Sequence, residues 1–277
     1  MQLGVFAKTF ERDTLEGNLD AVRAAGFVCT QYNMSCAGQA TIPERISNGL
    51  CRKIRMAHAE RDLKMAAISG TFNIIDPDRQ RLESNMSSLE TLAGVCAELN
   101  VGVITLCSGT RDPENMWRRH PDNDTAEAWR DVVVAMRRIV RIAEQARVTV
   151  GIEPEVNNVV DSAAKARRML DELGSANVKI VMDGANVFHA GQLENQREVL
   201  DETFEHVGQD IVLAHAKDVS HDGDAGHEAA GTGKLDYPYY LGLLRQHGFD
   251  GPLITHGCTE EQVPQCVSFL RERLASS

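Results

Sequence analysis

The sequence predicts an α/β protein of the closed (β/α)8 barrel class, and three observations support this prediction. Short apolar runs alternate with long amphipathic segments along the chain, which is the pattern of repeated strand–helix units around a parallel sheet. Eight such units can be counted. No linker rich in proline, glycine or serine divides them, so we expect a single domain spanning residues 1–277.

The eight strands are predicted from short runs rich in apolar residues. In chain order they cover residues 2–7, 26–32, 64–69, 101–107, 148–153, 178–183, 211–216 and 252–256. No glycine-rich phosphate-binding pattern follows any of them, which disfavours a doubly wound nucleotide-binding sheet. Residues 230–236, "AGTGKLD", do not follow a strand directly, and we interpret them as a tight loop.

The segments between the strands have the apolar spacing of helices. Residues 80–99 and 125–147 are clear examples. In the second segment Thr125 follows Asp124 and precedes Glu127, which is a typical helix start. The apolar residues that repeat at i, i+3, i+4 and i+7 there are Trp129, Val132, Val133, Met136, Ile139, Val140 and Ala143.

Charge and composition exclude several classes of function. The formal net charge of −11 repels phosphate backbones and anionic membrane surfaces, so we expect neither nucleic acid nor a membrane as a partner. No apolar run approaches the ~20 residues that cross a bilayer, and the first residues do not resemble a signal peptide, so we expect a soluble cytoplasmic protein. The seven cysteines never have C-x-x-C spacing, which predicts reduced thiols.

Four predicted strands end in a carboxylate or an imidazole. In a barrel of this class the active site lies at the carboxyl ends of the strands. Taken singly, Asp183 before Gly184 also fits a turn and His215 also fits a core histidine, whereas Glu153 has no such local explanation. As a group they need a shared partner, and one divalent cation (Mn, Co, Zn or Mg) is the simplest. The four residues are Glu153, Asp183, His215 and His256.

Two further pairs of residues follow from strand geometry. Lys217 lies two residues after His215, so both side chains are predicted to face the same side. An ammonium in that position can polarise a carbonyl, stabilise an enediolate or bind an anionic group. Glu153 and Glu155 have the same spacing, with Pro154 between them.

At these residues the chain resembles a known superfamily. The stretches that carry the resemblance are "VGIEPE", "VKIVMDGANVF", "VLAHAKDV" and "AGTGKLDYPYYLGLLRQHGFDGPLI". They are similar to the sugar isomerase/epimerase superfamily with the xylose isomerase-like TIM barrel, a group that includes ketohexose 3-epimerases, inosose dehydratases, hydroxypyruvate isomerases and endonuclease IV. The resemblance covers essentially the whole chain. It implies that Glu153, Asp183, His215 and His256 bind one divalent metal.

Two positions depart from the pattern of that superfamily. Its fourth ligand is a glutamate that also serves as a second acid/base group, whereas this chain has His256 there. The charges of two carboxylates and two neutral imidazoles neutralise a divalent cation, which makes it a stronger Lewis acid than a cation held by three carboxylates. Epimerisation by a symmetric pair of glutamates becomes doubtful, because one of the two glutamates is missing. Asn186 replaces a histidine found in several members, endonuclease IV among them, and with the acidic net charge it argues against a phosphodiester hydrolase.

The expected function is therefore a metal-dependent sugar or polyol isomerase or epimerase that transfers a proton next to a carbonyl. Glu153 is the expected base, Lys217 stabilises the oxyanion, and Glu260 is the first residue to test as the second proton carrier. Two alternatives stay open: a lyase or dehydratase of a keto-polyol on the same site, and a non-catalytic sugar-binding barrel. Predicted substrate contacts are Asn186, Glu155, Asn73, Arg111 and Trp117.

Other polar residues are assigned weaker roles. Trp117 and His120 lie in a long loop after the fourth strand, where they are candidates for a lid over the site. Family members are often dimers or tetramers, which leaves a homo-oligomer open. The histidines on predicted helices or turns are expected to be exposed to solvent: His58, His189, His206 and His247.

Overall fold

The computed structural model describes residues 1–276, with side chains described through residue 275. Its strands are β1 (Gln2–Phe6), β2 (Cys29–Tyr32), β3 (Lys64–Ser69), β4 (Val103–Cys107), β5 (Thr149–Glu153), β6 (Val178–Asp183), β7 (Ile211–Asp218), β8 (Glu228–Ala229) and β9 (Pro252–Thr255). Its α-helices are α1 (Leu15–Ala24), α2 (Asn48–Ala59), α3 (Arg79–Leu99), α4 (Ala126–Ala146), α5 (Ala163–Leu173), α6 (Gln196–Val207), α7 (Tyr237–Gln246) and α8 (Val263–Ser276).

Eight parallel strands close into a ring. Strands β1 to β7 follow one another in order, and β9 pairs in parallel with both β7 and β1, which completes the barrel. The short β8 lies outside the ring and pairs antiparallel with the end of β7. The helices surround the barrel, so the predicted (β/α)8 TIM barrel is confirmed.

The predicted elements agree with the observed ones to within a few residues. Strands β3 and β6 have the predicted bounds, and the eighth predicted strand is β9. Strand β7 extends to Asp218, beyond the predicted end, because Lys217 and Asp218 pair with β8. Helices α3 and α4 match the predicted segments, and residues 230–236 form turns as predicted.

Six helices begin at a residue whose side chain accepts a hydrogen bond from a backbone amide of the first turn. This satisfies one or two of the amides that have no partner inside the helix. Thr125 caps α4 in this way, as its sequence context predicted. The other five capping residues are Thr14, Ser47, Asp78, Ser162 and Asp236.

A small apolar cluster fills the barrel beneath its carboxyl end. Val181 and Leu213 belong to this cluster, and they precede Asp183 and His215 by two residues. Residues two apart in a strand point the same way, so the side chains of Asp183 and His215 also face the barrel interior. They lie directly above this apolar cluster, which forms the floor of the site. The members of the cluster are Phe6, Cys29, Ala66, Ala67, Val181, Leu213 and Ile254. A larger apolar cluster spans the layer between strands and helices.

His58 corrects one expectation, because its side chain is buried in α2. Its Nδ1 lies 2.9 Å from the carbonyl oxygen of Ile54, and its Nε2 lies 3.2 Å from the hydroxyl of Thr30 on β2. Burial lowers the pKa of His58 to about 4. The other three histidines of this group are half-buried. Among the described residues, no helix is both long and apolar enough to cross a membrane.

Candidate metal centre

Three of the four predicted ligands form a compact group at the carboxyl end of the barrel. Ligand atoms of Asp183, His215 and His256 all lie within 4.8 Å of one another. The sheet register explains this proximity: Asp183 and His215 are partners in the β6–β7 ladder, and the amide of His256 donates to the carbonyl of Ala216. Three adjacent strands of the ring therefore contribute one side chain each.

Glu153 extends this group from the end of β5. Its Oε1 lies 3.5 Å from Nδ1 of His215, and Oδ2 of Asp183 lies 3.4 Å from the same nitrogen. The four residues that the sequence selected are thus brought together. Glu153 also accepts a hydrogen bond of 2.7 Å from the amide nitrogen of Asn186.

Buried polar atoms without a hydrogen bond allow a test of whether a cation fits the group. Within the described residues, Oδ2 of Asp183, Nδ1 of His215 and Nδ1 of His256 are buried without a hydrogen bond. A tetrahedral zinc with bonds of ~2.0–2.1 Å separates its ligand atoms by about 3.3 Å, close to the spacing between His215 and its two carboxylates. The donor types fit one divalent ion, and so does the spacing of His215 from Glu153 and Asp183.

Gln31 fixes the orientation of His215. Its Oε1 lies 2.8 Å from Nε2 of His215, and its amide nitrogen donates to the hydroxyl of Thr105 at 3.1 Å. With Nε2 as the donor, Nδ1 carries the lone pair and faces the carboxylates, as a metal ligand must. Sequence reasoning missed Gln31. The signal that could have found it is a glutamine within the second predicted strand, in the run "CTQY".

Charges within the group depend strongly on one another. Burial opposes a charged His215, yet the carboxylates of Glu153 and Asp183 outweigh it and raise its pKa to about 9. Burial also opposes ionisation of Asp183, but Lys217 and His215 hold its pKa well below the usual range. Burial and the positive charges of His215 and Lys217 hold the pKa of His256 far below its usual value. In the metal-free protein, positively charged His215 and Lys217 therefore balance the carboxylates.

Lys217 reaches the same group, as the strand geometry predicted. Its ammonium lies 3.3 Å from Oδ2 of Asp183 and donates to the side-chain oxygen of Asn186 at 2.7 Å. Gly257 makes room for its aliphatic stem, because a Cβ there would lie 2.7 Å from Cγ of Lys217. Gly257 also has a φ of +68°, a conformation that other residues rarely adopt. Asn186 bridges Glu153 and Lys217, and its predicted contact with substrate stays a prediction.

Helix α7 braces the strands that carry these residues. The hydroxyl of Tyr240 lies 3.0 Å from the carbonyl of Met182 and 3.1 Å from that of His215. The hydroxyl of Tyr237 donates to the carbonyl of Lys217 at 2.9 Å. The backbone behind the candidate ligands is therefore tied to an outer helix.

Glu155 is a second buried carboxyl at the end of β5. It is 4% exposed, and no described residue forms a hydrogen bond with its carboxyl group. Burial and the charge of Glu153 raise the pKa of Glu155 to about 8. The predicted contact of Glu155 with substrate stays a hypothesis.

Several other predicted site residues have partners elsewhere. Glu260 is partly exposed and forms an ion pair of 2.5 Å with Arg12, and Arg111 pairs with Asp131 of α4 at 2.5 Å. The side chain of Asn73 holds the backbone of Thr110 through both of its polar atoms. Trp117 is 50% exposed. Their proposed roles in catalysis and substrate binding remain predictions.

Comparison with known families gives the architecture a name. The family model described as xylose isomerase-like TIM barrel matches residues 19–273. The chain belongs to this family. A search of curated proteins finds no match to the sequence.

Several solved structures share the fold of this chain over nearly its whole length. The 3-keto-D-glucoside 4-epimerase YcjR from E. coli is 16% identical, with a TM-score of 0.74, covering 98% of this chain and 99% of that one. A D-tagatose 3-epimerase-like protein is 15% identical, with a TM-score of 0.77 and coverage of 99% and 97%. The IOLI protein, solved with a zinc atom, is 16% identical, with a TM-score of 0.76 and coverage of 100% and 99%.

Proposed function

We propose that this protein is a divalent-metal-dependent sugar or polyol isomerase or epimerase. The observation that carries the proposal is the set of buried donor atoms without hydrogen bonds on Asp183, His215 and His256, at the barrel end where active sites of this fold lie. Glu153 would complete the ligand set. The zinc atom in the IOLI protein and the epimerase activity of YcjR support the same assignment.

The donor chemistry narrows the choice of metal. Two imidazole nitrogens and two carboxylate oxygens suit zinc, cobalt or manganese better than magnesium, which prefers oxygen ligands and bound water. When bound, the ion would supply Lewis acidity that makes a C–H bond next to a carbonyl easier to ionise. The remaining contributions come from side chains of the chain itself.

In this proposal Glu153 takes the proton from carbon. Its Oε1 is held by Asn186, which fixes the plane of the carboxylate at the barrel end. The ammonium of Lys217, 5% exposed and held by Asn186 and Asp183, is positioned to stabilise the oxyanion that forms as the proton leaves. The apolar floor beneath the group, which includes Val181 and Leu213, keeps water from the reacting atoms on that side.

A proton-exchange experiment tests this proposal. The protein with added Mn²⁺, Co²⁺ or Zn²⁺ is incubated with a panel of ketoses, aldoses and inososes in D₂O, and the sugars are examined by NMR. We expect deuterium at a carbon next to the carbonyl, lost in Glu153→Gln and retained in the surface control Glu261→Gln. Exchange that survives in Glu153→Gln would exclude that residue as the base. Sugar binding without exchange would support the non-catalytic barrel instead.

A further inference from the structure

Lys8 places an ammonium group at the mouth of the barrel. It follows the end of β1 by two residues, and its Nζ lies 4.7 Å from the centre of the Phe6 ring. Phe6 belongs to the apolar cluster inside the barrel, and its ring packs edge-on against that of His256, with centroids 5.4 Å apart. The ammonium of Lys8 therefore lies over the barrel interior, beside the candidate metal centre.

The charge of Lys8 is not neutralised by a carboxylate. Among the described residues, none places a carboxylate oxygen within 4.0 Å of its ammonium, and none forms a hydrogen bond with it. By contrast, Arg12 in the loop that follows pairs with Glu260 at 2.5 Å. The contact of Lys8 with the Phe6 ring is a cation–π interaction, which orients an ammonium and leaves its protons available.

Lys8 and Glu153 lie on opposite sides of the mouth. Glu153 is the last residue of β5, whereas Lys8 follows β1. In the closed ring, three strands separate β1 from β5 in either direction. A sugar carbon held between the two sides would have the carboxylate on one face and the ammonium on the other.

Several other titratable groups at this end of the barrel are already engaged. An imidazole that gives its lone pair to a cation cannot also exchange a proton with carbon, which excludes His256 once a metal is bound. Glu260, the residue predicted as the second proton carrier, forms an ion pair with an arginine, and so do Asp76 and Asp112 in the loops after β3 and β4. Lys8 keeps a free ammonium that faces the site.

We propose that Lys8 is the second proton carrier of this site and acts on the face of the substrate opposite Glu153. The proposal rests on the proposed function with Glu153 as base. One carrier alone can only exchange the hydrogen next to a carbonyl, whereas two carriers on opposite faces can invert the stereocentre. The position of Lys8 therefore selects epimerisation among the reactions open to the site.

The atoms and charges balance over one turnover. The C–H bond next to the carbonyl breaks, its proton joins the carboxylate of Glu153, and its electron pair forms the C=C bond of an enediolate. The ammonium of Lys8 then gives a proton to the opposite face of the same carbon, and the new C–H bond forms as the carbonyl returns. Glu153 is left protonated and Lys8 neutral. Water takes the proton from Glu153 and supplies one to Lys8, which is exposed to solvent.

Deuterium labelling separates the two proton transfers. The sugar panel is incubated in D₂O with the protein and Mn²⁺, Co²⁺ or Zn²⁺, and the parent is expected to form an epimer with deuterium at the inverted carbon. In Lys8→Gln epimer formation should fall by about 100-fold or more, while the substrate still gains deuterium without inversion, because Glu153 is intact. Lys64→Gln changes an exposed lysine at the start of β3, at the other end of the barrel, and should behave as the parent.

A second variant separates proton transfer from electrostatic attraction. Lys8→Arg keeps the positive charge, but a guanidinium does not release its proton in proteins. We expect this variant to form as little epimer as Lys8→Gln, with the metal content of both equal to that of the parent. Parental epimer formation in Lys8→Arg would overturn the proposal, because charge alone would then suffice.

The outcomes distinguish the role of Lys8 from the proposed function. Deuterium exchange without any epimer in the parent would overturn the role of Lys8 and leave the proposed function intact. The same conclusion would follow if epimer formation persisted in Lys8→Gln and were lost in Glu260→Gln instead. No exchange with any sugar would overturn the proposed function and this inference together.

Discussion

Nε2 of His215 lies 2.8 Å from the side-chain oxygen of Gln31, although 184 residues separate the two in the chain. This contact crosses the interior of the barrel and determines which nitrogen of His215 faces Asp183 and Glu153. Interactions of this kind orient metal-binding histidines and contribute to metal affinity.

Replacing Gln31 should therefore weaken metal binding. We expect Gln31→Leu to lower zinc affinity by about 10- to 100-fold, because His215 loses the acceptor that holds its ring. Competition with a chromophoric chelator measures this affinity. Gln39→Leu, at an exposed position, is the control. Unchanged affinity in Gln31→Leu would show that the ring is held by other contacts.

Asn186 should affect turnover more than metal content. In Asn186→Asp the side chain can no longer donate to Glu153, and the two carboxylates repel each other, so the proposed base loses its fixed orientation. We expect the exchange rate to fall about 100-fold while the zinc content stays the same. Asn195→Asp adds the same charge at an exposed position and should leave the rate unchanged. A parallel loss of zinc would instead indicate a structural role for Asn186.

Gly257 offers a test of how Lys217 is positioned. In Gly257→Ala the positive φ should lower the free energy of unfolding by about 1 kcal/mol. The added Cβ also collides with the aliphatic stem of Lys217, which should lower it by a further ~1–3 kcal/mol. Gly174→Ala is a matched control, because Gly174 has a φ of +59° and nothing within 4 Å of an added Cβ. Urea unfolding compares the two variants. Equal losses of stability would mean that Lys217 moves aside without cost.

His58 should make the protein sensitive to acid. Its pKa is about 4 in the folded protein, below the value of ~6.5 expected when unfolded, so the unfolded state binds more protons between these two values. The free energy of unfolding should fall as the pH drops from 6.5 towards 4, by up to about 3 kcal/mol from this group. Urea unfolding at several pH values should show a shallower dependence in His58→Gln than in the parent. The same change at the partly exposed His206 should keep the parental slope.

The fluorescence of Trp117 can test the predicted lid. Among the two tryptophans it is the exposed one, whereas Trp129 is buried beneath Arg168. If its loop covers the site, a sugar that undergoes exchange should change the tryptophan emission of the parent protein, and Trp117→Phe should abolish the change. A change that persists in Trp117→Phe would come from elsewhere in the barrel.

The strands and the candidate ligands were predictable for a common physical reason. In a closed parallel barrel, the carboxyl ends of all strands converge, so Glu153, Asp183, His215 and His256 could be grouped without knowing any contact. Gln31 could not be found this way, because its importance depends on a partner that only the closed ring brings near. Glu260 was selected because it follows His256 by about one helical turn; its carboxylate forms an ion pair with Arg12, and its role as a proton carrier stays a prediction.

Tyr237 and Tyr240 lie nearly one helical turn apart on α7, and each hydroxyl reaches the backbone directly behind a functional side chain. The spacing of Asp183, His215 and Lys217 is thus set partly by a helix outside the ring of strands. Loosening α7 would disturb that spacing before the barrel itself came apart. On heating, activity should disappear at a lower temperature than the circular-dichroism signal of the fold.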